Sequence, residues 1–189
     1  MTNFSVSSYI KAHQLLSKKI ESDQFDTGIE FIRHAFESGR KIITCGNGGS
    51  ASTASHYITD WNKMITLATG KKFRGVSLCD NIGLITAYGN DINFSEVFAG
   101  QIDALMDEGD LLVAVSGSGN SPNILRAIEA AHRARGRVLG VVGYDGGKMM
   151  QMCDHSVWVP SFDMQLCEDV HLMFGHMVMK SICGGGIVD

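Results

Sequence analysis

Two short segments carry residue types suited to holding an anion, and a third set carries types suited to acid–base or metal chemistry. In DLLVAVSGSGNSPN (110–123), the apolar run Leu111–Val115 stops in a loop of serine, glycine and asparagine before a helical pattern begins at Ile124. Ser116, Ser118, Asn120 and Ser121 offer hydroxyl and amide hydrogens, Gly117 and Gly119 let the backbone approach closely, and Pro122 suits a first helical turn. Free N–H groups at a helix start favour phosphate, and hydroxyls bind it there without the fixed charge of a Walker-type lysine, which is absent. Ile42–Cys45 is a second short apolar run, ending in Gly46-Asn47-Gly48-Gly49-Ser50 and again followed by a helical segment. One such loop is equally a turn with an N-cap serine. Two of them, each at the carboxyl end of a buried strand, predict one shared site.

The ionisable candidates lie on helices. His56 and Asp60 are four apart after the first loop, so they leave one helix face and suit either one metal ion or a plain surface hydrogen bond. The last helical stretch adds Glu168, Asp169, His171 and His176 to a sequence that is otherwise apolar, and four such groups need partners. At about 100° per residue, Asp169 nearly aligns with His176 while Glu168 lies about 80° away, so spacing slightly prefers Asp169 as the neighbour of His176. Met173, Met177 and Met179 read as core filler, and His13 and His34 as structural.

These groups need a scaffold, and the chain supplies an alternating one. Short apolar strands are expected at 42–45, near 74–78, at 111–115, at 138–142 and at 156–159, with helices between them to about residue 64, at 82–88, 94–105 and 124–134, and from about 165 to 182. Asn90-Asp91 is expected to interrupt the helix near 82–88. Asp26 is read as the cap of an early helix through Ile29, Ile32 and Phe36 that Gly39 ends. Alternation with right-handed crossovers gives an α/β fold: a three-layer, doubly wound α/β/α domain on a parallel sheet of about five strands. An extra amphipathic helix over residues 4–21, with Val6, Tyr9, Ile10, His13, Leu16 and Ile20 on its stripe, stands outside the alternation and needs a surface to pack on. The whole is read as one domain over 1–189: N-terminal helices to 38, an α/β core over 40–182, and a flexible tail over 183–189.

Composition narrows the function. The 189 residues are 44% hydrophobic and 19% charged, ordinary for a globular domain, and the net charge of −4 with scattered Lys and Arg argues against a nucleic-acid surface. No apolar run approaches ~20 residues and the start does not resemble a signal peptide, so no membrane contact and a cytoplasmic location are expected. Cys45, Cys79, Cys153, Cys167 and Cys183 show no CxxC spacing and read as reduced thiols, not a zinc–thiolate site.

Taken together, Gly46–Ser50, His56, Gly89-Asn90-Asp91, Ser116–Ser121, Asp145-Gly146-Gly147-Lys148 and His176 resemble the sugar isomerase (SIS) domain family over about residues 35–182, most closely its phosphoheptose isomerases. The resemblance implies a homotetramer with sites at subunit boundaries that interconverts sedoheptulose 7-phosphate and an aldoheptose 7-phosphate, for a heptose-containing surface polysaccharide or glycoside. It implies that Ser50, Ser116, Gly117, Ser118 and Ser121 hold the phosphate, that Asn47, Gly48, Gly49, Asn90, Asp91 and Glu168 border the sugar, and that His56 and His176 bind zinc; with Asp60 and Glu168 they are expected to hold one Zn2+ per subunit. His176, Asp60 and Glu168 are the implied catalytic groups for proton transfer between C1 and C2 through an enediol. The sequence departs from the family pattern in having Asp60 for glutamate, Glu168 for glutamine and Leu166 for arginine, so either Asp60 or Glu168 is the base. A non-catalytic relative that binds the replication initiator protein, a phosphosugar-sensing regulator and an isomerase of another ketose phosphate are the alternative readings. The late histidine His176 separates the chain from the first, and the lack of an appended DNA-binding domain weakens the second.

Overall fold

The computed structural model describes residues 4–185. In chain order the elements are α1 (Val6–Ser17), α2 (Ser22–Glu37), β1 (Ile42–Cys45), α3 (Gly49–Asp60), a π-helical turn (Trp61–Ile65) and α4 (Thr66–Thr69). There follow β2 (Gly75–Ser77), α5 (Ile82–Asp91), a 3-10 turn (Phe94–Glu96), α6 (Ala99–Leu105), β3 (Leu111–Ser116), α7 (Pro122–Arg133), β4 (Arg137–Val142), α8 (Met149–Met152), β5 (His155–Trp158) and α9 (Met164–Cys183).

The five strands are all parallel, in the order β2-β1-β3-β4-β5. Strand β3 is central and buried along all six residues, as a continuous apolar run in a doubly covered sheet requires. Its side chains alternate between two cores. Leu111, Val113 and Val115 join Ile32 of α2, Tyr57 of α3 and Phe174 of α9 on one face. Leu112 and Ala114 join Ile102 of α6, Ile124 and Ile128 of α7 and Met149 of α8 on the other. This is the expected three-layer α/β/α arrangement. From β1 the chain moves outward to β2, whereas from β3 it moves the other way to β4 and β5. The connections after β1 and β3 therefore diverge and leave a crevice at the carboxyl ends of these two neighbouring strands.

Three local expectations change. Helix α2 starts at Ser22, four residues ahead of the expected Asp26 cap, because the Gln24 N–H already bonds the Glu21 carbonyl and sets the first turn. Asn90-Asp91 do not interrupt α5, which runs through Asp91; the Asn90 amide is occupied by the Asp91 carboxylate at 2.8 Å and does not compete for the backbone. The single helix expected over 94–105 is a 3-10 turn and then α6, since the Asn93 side chain caps the Ser95 N–H.

Helix α1 buries little within the chain. Leu16 is its one buried residue, while Val6, Ile10 and Leu15 are exposed. It is fastened to α9 by Asp169, whose Oδ2 accepts from the Tyr9 hydroxyl and lies 2.7 Å from His13 Nε2. At the other terminus Gly184, at φ 72°, caps α9 in the left-handed conformation. Residues 186–189 of the expected flexible tail lie outside the described residues. Among the described residues no helix is long and apolar enough to cross a membrane, and all five cysteines are free.

Candidate functional site

The crevice between β1 and β3 holds a cavity of about 260 Å³ lined by both glycine–serine loops: Asn47 and Ser50 from the first, Ser116, Gly117, Ser118 and Ser121 from the second. Among the described residues no lysine or arginine lines it. Each hydroxyl has a structural reason for its place. Ser116 ends β3 and its Oγ accepts the Gly119 N–H at 3.1 Å, folding the loop back; Ser118 Oγ accepts from the Asn120 N–H at 3.3 Å. Ser121 occupies the N-cap position of α7 but makes no side-chain cap, with Pro122 after it, so its hydroxyl is available to a ligand at the helix start. The loop before α8 braces this segment: Lys148 N–H donates to Asn120 Oδ1 and Met149 N–H to the Gly119 carbonyl.

Glu168 of α9 also lines the cavity. Its carboxyl lies directly over Gly49, where a Cβ would stand 2.4 Å from Oε1, so a larger residue there would push that carboxylate aside. A carboxylate facing a phosphate-type pocket repels a dianion at close range. The cavity thus carries one carboxylate beside its four serine hydroxyls.

The metal-type residues gather at the crossing of α3 and α9. His56 Nε2 is 3.1 Å from His176 Nε2 and 3.3 Å from Asp60 Oδ2, and His176 Nε2 is 3.7 Å from Asp60 Oδ2. One ligand atom from each of the three lies within 4.8 Å of the others, with side chains a quarter to a half exposed. Two imidazole nitrogens and a carboxylate oxygen aimed at one point are a fitting donor set for Zn2+ with an open position left over. The fourth expected ligand, Glu168, is not within this group. It precedes His176 by eight residues, about 12 Å of rise along α9, and its carboxyl rests on Gly49.

The other ionisable groups of α9 find separate partners. Asp169, which spacing slightly preferred as the neighbour of His176, is bonded to Tyr9 and His13 of α1 instead. Seven residues place it in angular register with His176 but about 10 Å away along the axis, and angle alone does not carry that rise. Hydrogen bonding to Asp169 pushes the Tyr9 hydroxyl up to about 12. His171 is 1% exposed, and burial pushes its pKa down to about 4 against a smaller opposing pull from the Val142 backbone, so it is a neutral core residue. Of the two histidines read as structural, His13 bears this out as the α1–α9 tie.

Asn90 and Asp91, expected to border the sugar, lie at the exposed end of α5 and do not line this cavity. The site also contains residues that pattern reading does not find. Asn123 and Asn47 form a reciprocal amide pair, each Nδ2 donating to the other's Oδ1 at 2.9 and 2.8 Å, which locks the two loops together across the crevice. Tyr144 lines the cavity from the end of β4 and is held at φ 50°, a strained value for a non-glycine residue. The neighbouring Asp145-Gly146-Gly147 turn was the one available signal for it.

Comparison with known proteins supplies the family. The SIS domain profile matches residues 8–143. The chain is 32% identical over 184 residues to the phosphoheptose isomerase of Aliarcobacter butzleri, covering 96% of this chain and 97% of that one. It is 39% identical over 153 residues to the phosphoheptose isomerase of Rhodospirillum rubrum, covering 81% and 79%. Its fold superposes on the structure of phosphoheptose isomerase GmhA from Neisseria gonorrhoeae with a TM-score of 0.86 at 30% identity, covering 94% and 96% of the two chains. A hydroxyl-lined cavity at the β1/β3 crevice, a histidine–aspartate group on the adjoining helices and these likenesses lead to one assignment: the chain belongs to the SIS domain family, in the branch that the phosphoheptose isomerases occupy.

Proposed function

We propose that this protein is an aldose–ketose isomerase that interconverts sedoheptulose 7-phosphate and an aldoheptose 7-phosphate. The observation that carries the reading is the composition of the cavity: among the described residues, four serines and no cation for a phosphate, with one carboxylate in the same lining for a proton. Ser50, Ser116, Ser118 and Ser121, with the backbone N–H groups of the second loop, hold the phosphate and thereby fix the open-chain sugar. Asn47, Gly48 and Gly49 border its polar chain. Glu168 takes the proton from one of C1 and C2 and returns it to the other, passing through the enediol. Where no ion occupies its Nε2, His176 would hold or supply the proton at the adjacent oxygen. His56, Asp60 and His176 would hold a Zn2+ ion, one per subunit, and such an ion when bound polarises the substrate's carbonyl oxygen. In this assignment Asp60 is a ligand, and Glu168, expected both at the ion and at the sugar, serves the sugar.

The same reading makes the protein a cytoplasmic homotetramer with sites at subunit boundaries. Helix α5 supports it, having no buried residue within the chain and presenting Ile82 and Leu84, with Ile92 and Phe94 just beyond, to the outside. The largely unburied stripe of α1 is a second surface of this kind. Asn90 and Asp91, at the end of α5, then serve the cavity of a neighbouring subunit. The test is direct: zinc-loaded protein is incubated with sedoheptulose 7-phosphate and followed by NMR. Aldose resonances growing to a fixed ratio are expected, and a ketose spectrum unchanged after prolonged incubation overturns the proposal.

A further inference from the structure

We infer that Gly175, together with Tyr57 and Trp61, is a positioning device that sets the separation of α3 and α9 so that the short side chain of Asp60 reaches His176. This rests on the metal reading of the three-residue group.

The group is split between two helices. His56 and Asp60 are held in register by α3 itself, four residues apart, whereas His176 belongs to α9. The Asp60–His176 separation of 3.7 Å is the longest of the three and, like the His56–His176 separation of 3.1 Å, spans the two helices and so depends on how closely they approach. An aspartate cannot extend to make up a gap.

Each of the three metal-type residues sits beside one of the residues that decide that approach. Tyr57 follows His56, Trp61 follows Asp60, and Gly175 precedes His176. Trp61 Nε1 donates to the Gly175 carbonyl at 2.9 Å, and the Tyr57 hydroxyl donates to the His171 carbonyl, so α3 is bonded to the α9 backbone on both sides of the crossing. Both rings are fully buried and stacked, with centroids 4.7 Å apart and planes 20° apart. Helix α9 contributes no side chain at the closest point. A Cβ on residue 175 would stand 2.3 Å from both Cδ1 and Cε1 of Tyr57. The ring has no room to turn away, being bonded at its hydroxyl and stacked on Trp61. Ordinary carbon contacts need about 3.5–4.0 Å, so even a methyl group requires the helices to part by about 1 Å. That shift falls on both contacts to His176, from His56 and from Asp60, while the His56–Asp60 contact inside α3 is unaffected.

A glycine used only for packing gives a different result from a glycine used as a spacer, because a spacer's loss is reversed by a longer ligand. The experiment compares wild type, Gly175→Ala, Asp60→Glu, the double variant and Trp61→Phe. Affinity for Co2+ is read from its visible absorption and for Zn2+ from competition with a chelator, with melting temperature and circular dichroism followed alongside. Gly175→Ala is expected to weaken metal binding at least tenfold. Adding Asp60→Glu, one methylene longer, should return the double variant to within about threefold of wild type, although Asp60→Glu alone brings no gain. Trp61→Phe loses only the bond to the Gly175 carbonyl and should weaken binding several-fold; it carries the test if Gly175→Ala does not fold. Wild-type affinity in folded Gly175→Ala, wild-type affinity in Trp61→Phe, or a loss that Asp60→Glu does not recover overturns the inference. Failure of the wild-type protein to bind either metal overturns the metal reading itself.

Discussion

The cavity and the histidine–aspartate group lie on the same helix pair and are built on opposite principles. The cavity is made of loops, backbone N–H groups and neutral hydroxyls, and its place is dictated by the strand order that opens a crevice between β1 and β3. The group is made of ionisable side chains, partly exposed, and its place is dictated by packing at one crossing of α3 and α9. A phosphate is recognised by many weak donors and tolerates small shifts, so a topological position suffices. A metal-type group depends on a few atoms converging, so a shift of about 1 Å matters. The hydroxyls thus gather at the ends of the sheet's strands and the ionisable cluster on its helices, and Glu168 of α9 is the carboxylate that lines the cavity.

The largest expected effect separates the two regions outright. His176→Ala should lower kcat by a thousandfold or more and reduce metal content, with KM nearly unchanged, because only the helix-borne group is damaged. A matching rise in KM would mean that the two regions are one unit. Next comes His171, fully buried on α9 between Glu168 and His176. Its folded pKa near 4 lies below the unfolded value near 6.5, so the unfolded chain binds the extra proton first as pH falls. Stability is therefore full above pH 6.5 and is lost as pH drops toward 4, by roughly 3 kcal/mol in all. Chemical denaturation across this range measures the slope, and His171→Leu should remove it. Glu168→Gln sharpens the comparison further: kcat should fall about a hundredfold at unchanged metal content, since the lost group faces substrate. Loss of metal in that variant would move Glu168 into the group. The smallest effect concerns the cavity alone. Ser118→Ala with Ser121→Ala should raise KM at least tenfold, about 1.4 kcal/mol, while metal content and melting temperature hold. An unchanged KM in the folded protein removes these hydroxyls from the phosphate.

The amino-acid sequence by itself determined whatever depends on near neighbours. The apolar runs at 42–45 and 111–115 dictate strands, the glycine–serine segments dictate the loops that end them, and a four-residue step puts His56 and Asp60 on one helix face, because these patterns act through local geometry. Alternation then constrained the sheet to be parallel, and the strand-end position of both loops constrained the cavity. Tertiary structure alone decided what faces what across elements. Asp169 and His176 share a direction on α9, yet one meets Tyr9 and His13 of α1 and the other meets His56 of α3. Asn123 gives no hint in sequence that it pairs with Asn47, 76 positions away, and nothing about Gly175 announces that a tyrosine ring lies against it. The reason is physical: helical phase fixes an angle, whereas a partner is chosen by the separation and rise of the packed helices, and those follow from the side chains of every element that meets at the crossing.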